Sequence, residues 1–347
     1  MLSERQKTVL EVIVSDYTKS GVPVGSKALS NQLPIHVSSA TVRNDMAYLE
    51  KIGLISKTHS SSGRIPSIEG YRYYVDNLLN PNPIDNSDIR IIRTALGGHF
   101  GKIDEIVEQS ANILSNLTNY TALALKPKQQ VSRRLRSFHL VPLGNRQVMA
   151  ILITDSQDVI NQIFHISDDI NGEQLDSVVK LINDKMVGKS LSYILKSLLE
   201  GDFTKEIVKY INNPKGILAT LNNILTEASK NQFYIGGELN LLSFTDNNDI
   251  SYLKPIYSLL NDTDDISQFI NNSGKSISVK IGPEISNSLL KDYSVITGTY
   301  DVGEYGKGVV AVLGPTRMPY SRIIGIVESF RDELSKKLLN YYNKYDQ

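Results

Sequence analysis

The chain has 347 residues, 41% hydrophobic and 21% charged, with 37 lysines and arginines against 37 aspartates and glutamates. That length exceeds one average domain and that composition excludes wholesale disorder, so two or three folded units are expected. The lack of cysteine excludes disulfides, thiolate metal sites and a cysteine nucleophile, and no stretch reaches the roughly 18 apolar residues of a membrane span, so a cytoplasmic protein without a membrane partner is expected.

Residues 1–80 hold nine lysines and arginines against seven carboxylates. The excess is small, so binding to a polyanion must rest on local placement of charge rather than on net charge.

In chain order, Ser3 and Gln6 have capping-box spacing, and Val9, Leu10, Ile13, Val14 and Tyr17 recur at helical period up to Gly21. Ser26 starts a second helix with the short stripe Ala28, Leu29 and Leu33, ended by Pro34. Ser38 caps a third, on which Val42, Met46 and Leu49 mark the inward face, and Gly53 stops it. Leu54–Thr58 and Arg64–Ile65 read as two short strands around a Ser/Gly-rich wing, and Ser67 caps a fourth helix carrying Tyr71, Tyr74, Val75 and Leu78. Residues 1–79 are thus a winged helix-turn-helix domain.

Residues 80–88, with two prolines and three asparagines, have linker composition. Ile92, Leu96, Ile103, Val107, Ile113, Leu114 and Leu117 then mark a long amphipathic helix, weakened at Gly97, Gly98 and Gly101. Apolar runs at 122–125, 138–141, 147–153 and 160–164 read as strands. A helix spans about 174–186, mostly helical sequence continues to about 231, and strands follow at 233–235, 276–281, 294–300 and 309–313. A final helix from about Pro319 carries Ile323, Ile324, Val327, Phe330, Leu334 and Leu338 on one face. The strands before 164 and after 233 are expected to form one antiparallel sheet interrupted by a helical insertion, a multidomain α+β architecture.

At about 100° per residue, Ala40, Asn44, Ala47 and Lys51 lie opposite the buried stripe of the third helix, with Thr41 and Arg43 on its shoulders. Arginine can bond guanine O6 and N7, asparagine can bond adenine N6 and N7, and alanine or threonine methyls can touch a thymine methyl. Lys27, Lys57, His59 and Arg64 fall where phosphate or minor-groove contacts fix register, and the Ser26, Ser38 and Ser39 hydroxyls could add phosphate contacts.

Catalysis is not expected. The five histidines lack a metal-binding spacing, and Gly303-Glu-Tyr-Gly-Lys-Gly308 lacks the phosphate-loop pattern, so no catalytic residue, cofactor or metal is assigned. Two other readings stay open: a ligand-responsive regulator with Phe138, Leu152, Tyr300 and Val310 lining a pocket, and a winged-helix scaffold for protein or RNA.

Pro23-Val-Gly-Ser-Lys27, Val37-Ser-Ser-Ala-Thr-Val-Arg-Asn-Asp-Met46, Leu49-Glu-Lys-Ile-Gly-Leu54, His59-Ser-Ser-Ser-Gly-Arg-Ile-Pro66 and Gly70-Tyr-Arg-Tyr-Tyr-Val75 closely resemble the heat-inducible transcription repressor HrcA family, as do Tyr234-Ile-Gly-Gly237 and Leu313-Gly-Pro-Thr-Arg-Met318. Asp45 departs from the family pattern, which has glutamate there. The resemblance implies a GAF-like α/β domain split in sequence, residues 89–188 and 233–347, with an inserted, mostly helical dimerisation domain at 189–232. It also implies a homodimer on an inverted-repeat operator in double-stranded DNA upstream of class I chaperone operons, with repression tuned by the GroEL/GroES chaperonin.

Overall fold

The computed structural model describes residues 2–34, 36–58, 63–79, 85–128, 133–155, 158–211, 213–229, 232–244, 250–260, 262–270 and 275–345. Helix α1 (Glu4–Ser20) opens on a reciprocal cap, in which Gln6 N–H donates to Ser3 Oγ and Ser3 N–H donates to Gln6 Oε1. It closes at Gly21 in left-handed backbone, φ 70°, which glycine adopts without a Cβ clash. Helix α2 (Ser26–Gln32) is short because Pro34 forces the preceding Leu33 out of helical backbone. Helix α3 (Ser39–Lys51) is capped by Ser38, and strands β1 (Ile55–Lys57) and β2 (Arg64–Pro66) pair antiparallel.

Helix α4 (Ile68–Asn77) starts at Ser67, whose Oγ accepts from Gly70 N–H and donates to the Gly53 carbonyl at 2.6 Å. Gly70 is a close-approach glycine, since a Cβ there would lie 1.9 Å from the Leu54 carbonyl oxygen. Val9, Leu10, Ile13, Leu29, Val42 and Leu49 are completely buried in the head, each leucine or isoleucine contributing about 1.5–3 kcal/mol of transfer free energy.

Helices α5 (Asn86–Leu96) and α6 (Ile103–Thr118) are separated at the glycine-weakened segment, where the sequence allows a break. The last residues of the expected 80–88 linker belong to α5, which Asp85 caps, and 80–84 lie outside the described residues. Strand β3 (Thr121–Lys128) follows.

Next come β4 (Leu135–Gly144), β5 (Gln147–Thr154), β6 (Val159–His165), α7 (Gly172–Met186), α8 (Leu191–Leu199), α9 (Asp202–Ile207) and α10 (Lys215–Ser229). They form a compact unit of their own, Gln129–Asn231. Its antiparallel meander β4-β5-β6 buries Phe138, Val148, Leu152 and Phe164 against the helices. The Asn183 amide on α7 bonds both the N–H and the carbonyl of Phe138, tying that helix to the irregular edge of β4.

The other unit, Met1–Lys128 with Gln232–Gln347, is completed by β7 (Phe233–Gly236), α11 (Ile250–Leu260), α12 (Thr263–Ile270), β8 (Ile277–Ile281), β9 (Tyr293–Asp301), β10 (Lys307–Pro315) and α13 (Tyr320–Tyr345). Its antiparallel sheet runs β7-β3-β10-β9-β8. Val310 and Val312 join the core toward α6 and α13, and Ala311 and Leu313 the core toward α11 and α12, as strand alternation requires. This mixed α+β layer with an antiparallel sheet occupies the place where the resemblance implies a GAF-like domain.

Two expectations change. The insertion begins at 129 instead of 189, because β4, β5 and β6 pair only with one another and not with β3 or β7. Side-chain period identifies a strand but not its partner, which long-range packing decides. For the same reason Phe138 and Leu152 belong to the core of one unit and Tyr300 and Val310 to that of the other, all four buried, so they do not line a common pocket.

Candidate nucleic-acid interface

The head builds its outward face by committing the inward one. On α3 the buried residues are Val42, Asp45, Met46 and Leu49, so the opposite side presents Ser39, Ala40, Arg43, Asn44, Ala47, Tyr48 and Lys51 to solvent, with Thr41 half-buried at its margin. The small side chains of Ala40 and Ala47 let this surface approach a partner closely.

Ser38 is occupied locally. Its Oγ accepts from Thr41 N–H at 3.2 Å and shares a 3.0 Å hydrogen bond with Thr41 Oγ1, so both hydroxyls serve the helix start first. Lys27 is exposed and Ser26 half-buried at the start of α2, and Lys57 on β1 is 62% exposed along its side chain. His59 lies outside the described residues.

The two carboxylates of α3 are neutralised from behind. Asp45, buried, accepts from Arg5 Nε at 2.6 Å and Nη2 at 3.2 Å, and the Asp45 hydrogen bonds and charge hold the Arg5 guanidinium above its ordinary pKa. Glu50 accepts from Arg64 Nε at 3.0 Å and Nη2 at 2.8 Å. Arg64 therefore departs from the expectation of a DNA contact: only 12% of its side chain is exposed, and it braces β2 on α3 while its backbone pairs with Val24. Arg43, Lys27 and Lys51 have no ion pair among the described residues. The outward face is thus net positive although the head as a whole is nearly neutral.

Sequence reasoning missed Asp45 and Tyr48. The signal for Asp45 was available, since it sits three residues after Val42 and four before Leu49, on the inward stripe. Tyr48 follows Asn44 by four residues and continues the outward stripe, 41% exposed.

Residues 1–77 match the model of the winged helix-turn-helix transcription repressor HrcA DNA-binding domain, and residues 104–324 that of the HrcA protein C terminal domain. The heat-inducible transcription repressor HrcA of Limosilactobacillus reuteri (strain DSM 20016) is 51% identical over 349 residues, covering 99% of each chain. That of Ligilactobacillus salivarius (strain UCC118) is 50% identical over 353 residues, covering 100% of each. A crystal structure of a hypothetical protein at 2.2 Å resolution shares the fold, with a TM-score of 0.59 and 23% identity, covering 98% of this chain and 99% of that one.

Proposed function

The chain belongs to the HrcA family of heat-inducible transcription repressors and carries that family's DNA-binding winged helix; from this premise we propose that it silences class I chaperone operons by binding, as a homodimer, to an inverted-repeat operator. The observation that carries the reading is the outward, cation-bearing face of α3, whose own carboxylates are paired from behind. The relatives are transcription repressors, a non-enzymatic class, and no catalytic step is assigned.

In this reading α3 enters the major groove. Arg43 bonds guanine O6 and N7, Asn44 bonds adenine N6 and N7, and Ala40 and Thr41 meet thymine methyls. Lys27, Lys51 and Lys57, with Ser26 and Ser39, hold phosphates and set register without reading sequence. Two-fold pairing of chains presents two such helices to half-sites one or two helical turns apart, and occupancy of the promoter blocks transcription.

Support for pairing comes from the open face of the β4-β5-β6 sheet, where Val141, Met149 and Ile163 stand in cross-strand register and Val159 is 60% exposed. Arg136 is exposed at the β4 bulge near the end of that face, and the strand positions around Val141, Met149 and Ile163 are uncharged, so two copies can meet there with little like-charge repulsion. Regulation follows as a population shift in the cytoplasm: the GroEL/GroES chaperonin maintains the DNA-competent state, and heat-damaged clients withdraw it. Family membership supports this part of the reading.

The test is a footprint and gel-shift series on chaperone-operon promoters, using duplexes with both arms of the repeat, one arm, or scrambled arms. Protection of both arms and a salt-dependent preference for the intact repeat are expected. Equal competition by palindromic and scrambled duplexes would overturn the proposal. Operator-competent fraction after heating, with and without chaperonin, tests the regulatory step; full recovery without chaperonin would remove it.

A further inference from the structure

The winged head and the GAF-like layer belong to one compact unit, and the joint between them is built from charged and aromatic groups. On the head side, Arg72 of α4 donates through Nε to Glu284 Oε1 at 2.8 Å and through Nη2 to Glu284 Oε2 and to the Val279 carbonyl, while Nη1 reaches Asp76 at 3.1 Å. Glu284 is already fixed when Arg72 arrives, because its Oε2 accepts from Ile281 N–H at 2.9 Å. A solvent-open groove of about 500 Å³ runs beside this pair, so salt can reach it.

The second point of attachment lies at the end of α1. Arg317, within the Leu313–Met318 motif, sets its guanidinium 5.9 Å from the centre of the Tyr17 ring and so close to Gly21 that a Cβ there would lie 1.8 Å from Nη1. A cation placed there also complements the negative end of the α1 dipole. Between the two points Tyr71 packs on Tyr320, ring centroids 5.7 Å apart, with the Tyr71 and Thr18 hydroxyls buried beside each other without a hydrogen bond of normal geometry.

A joint that buries hydroxyls and rings between two charged attachments, in place of a continuous aliphatic core, takes its orientation largely from those charged attachments. We infer that Arg72, Glu284 and Arg317 are positioning residues for operator recognition, clasping the DNA-reading head to the GAF-like layer at a fixed angle. The inference rests on the reading that two heads engage one repeat. When each head is held rigidly, binding of the first raises the effective concentration of the second at its half-site; a head freed from the clasp loses that advantage.

The experiment uses the full chain and three variants: Arg72→Glu, Glu284→Arg and the double exchange. Each single variant is expected to lose about tenfold or more in affinity for the intact repeat while changing affinity for an isolated half-site by less than about twofold, and the double exchange recovers most of the loss. Hydrogen exchange gives a readout without DNA: in the single variants, residues 17–21 and 315–320 lose protection together, while α3 keeps its own. Equal losses on half-site and repeat, an unchanged repeat affinity, or failure of the double exchange to recover would overturn the assignment. Failure of the parent chain to prefer the repeat would instead overturn the proposed function, and the exchange data alone would then decide whether the clasp exists.

Discussion

The outer face of α3 carries Ala40, Arg43, Asn44 and Lys51, whereas the outer face of the β4-β5-β6 sheet carries Val141, Val159 and Ile163. Both are solvent-facing in the single chain, and both lie on elements whose other side is fully committed to a core. The first combines unpaired cations with small side chains, which suits close approach to a polyanion. The second leaves apolar strand positions where an antiparallel sheet facing water ordinarily has polar ones, which suits a surface that a partner covers. One chain thus separates the surface read as DNA-binding from the surface read as self-associating, and each can be perturbed alone.

The largest expected effect breaks the inner side of the first surface. Leu49→Ala, at a completely buried position, is expected to cost about 2–5 kcal/mol of stability in urea unfolding, because the cavity adds to the lost transfer energy. Next, Ile163→Glu is expected to weaken self-association by at least about 2 kcal/mol in sedimentation equilibrium, with chain stability changed by less than about 0.5 kcal/mol. A variant that stays fully dimeric would show that the sheet face is not the pairing surface.

Arg43→Ala and Asn44→Ala are each expected to cost about 1–3 kcal/mol in operator binding and to relax preference at particular base pairs, with the urea midpoint unmoved. Uniform loss across operator variants would reduce them to phosphate contacts. The smallest effect sharpens that distinction: Lys57→Ala is expected to weaken all duplexes alike and to lower the salt slope by about 1.

The head was legible because its signals are local. The Ser3–Gln6 box, the Ser38 and Ser67 caps and the Gly21 stop all appear at the positions their residues indicate. Exposure of Arg43 and Asn44 followed from helical spacing alone. Arg64 was not legible as a brace, since its partner Glu50 is 14 residues away across the wing and nothing in either residue's neighbourhood announces the pair. The insertion start at 129 was hidden for a related reason, as β3 and β4 both read simply as apolar strands.

The sequence by itself determined where the helices of the head begin and end, which face of α3 turns inward and which strands exist, because capping, backbone preference and side-chain period act over a few residues. Tertiary structure alone decided that β3 pairs with β10 and β7 while β4 pairs with β5, that Asp45 and Glu50 are neutralised by Arg5 and Arg64, and that Arg72 meets Glu284 across 212 positions of chain. Those choices are made between groups distant in sequence, where many partners are chemically equivalent and only the packing of the whole chain selects among them.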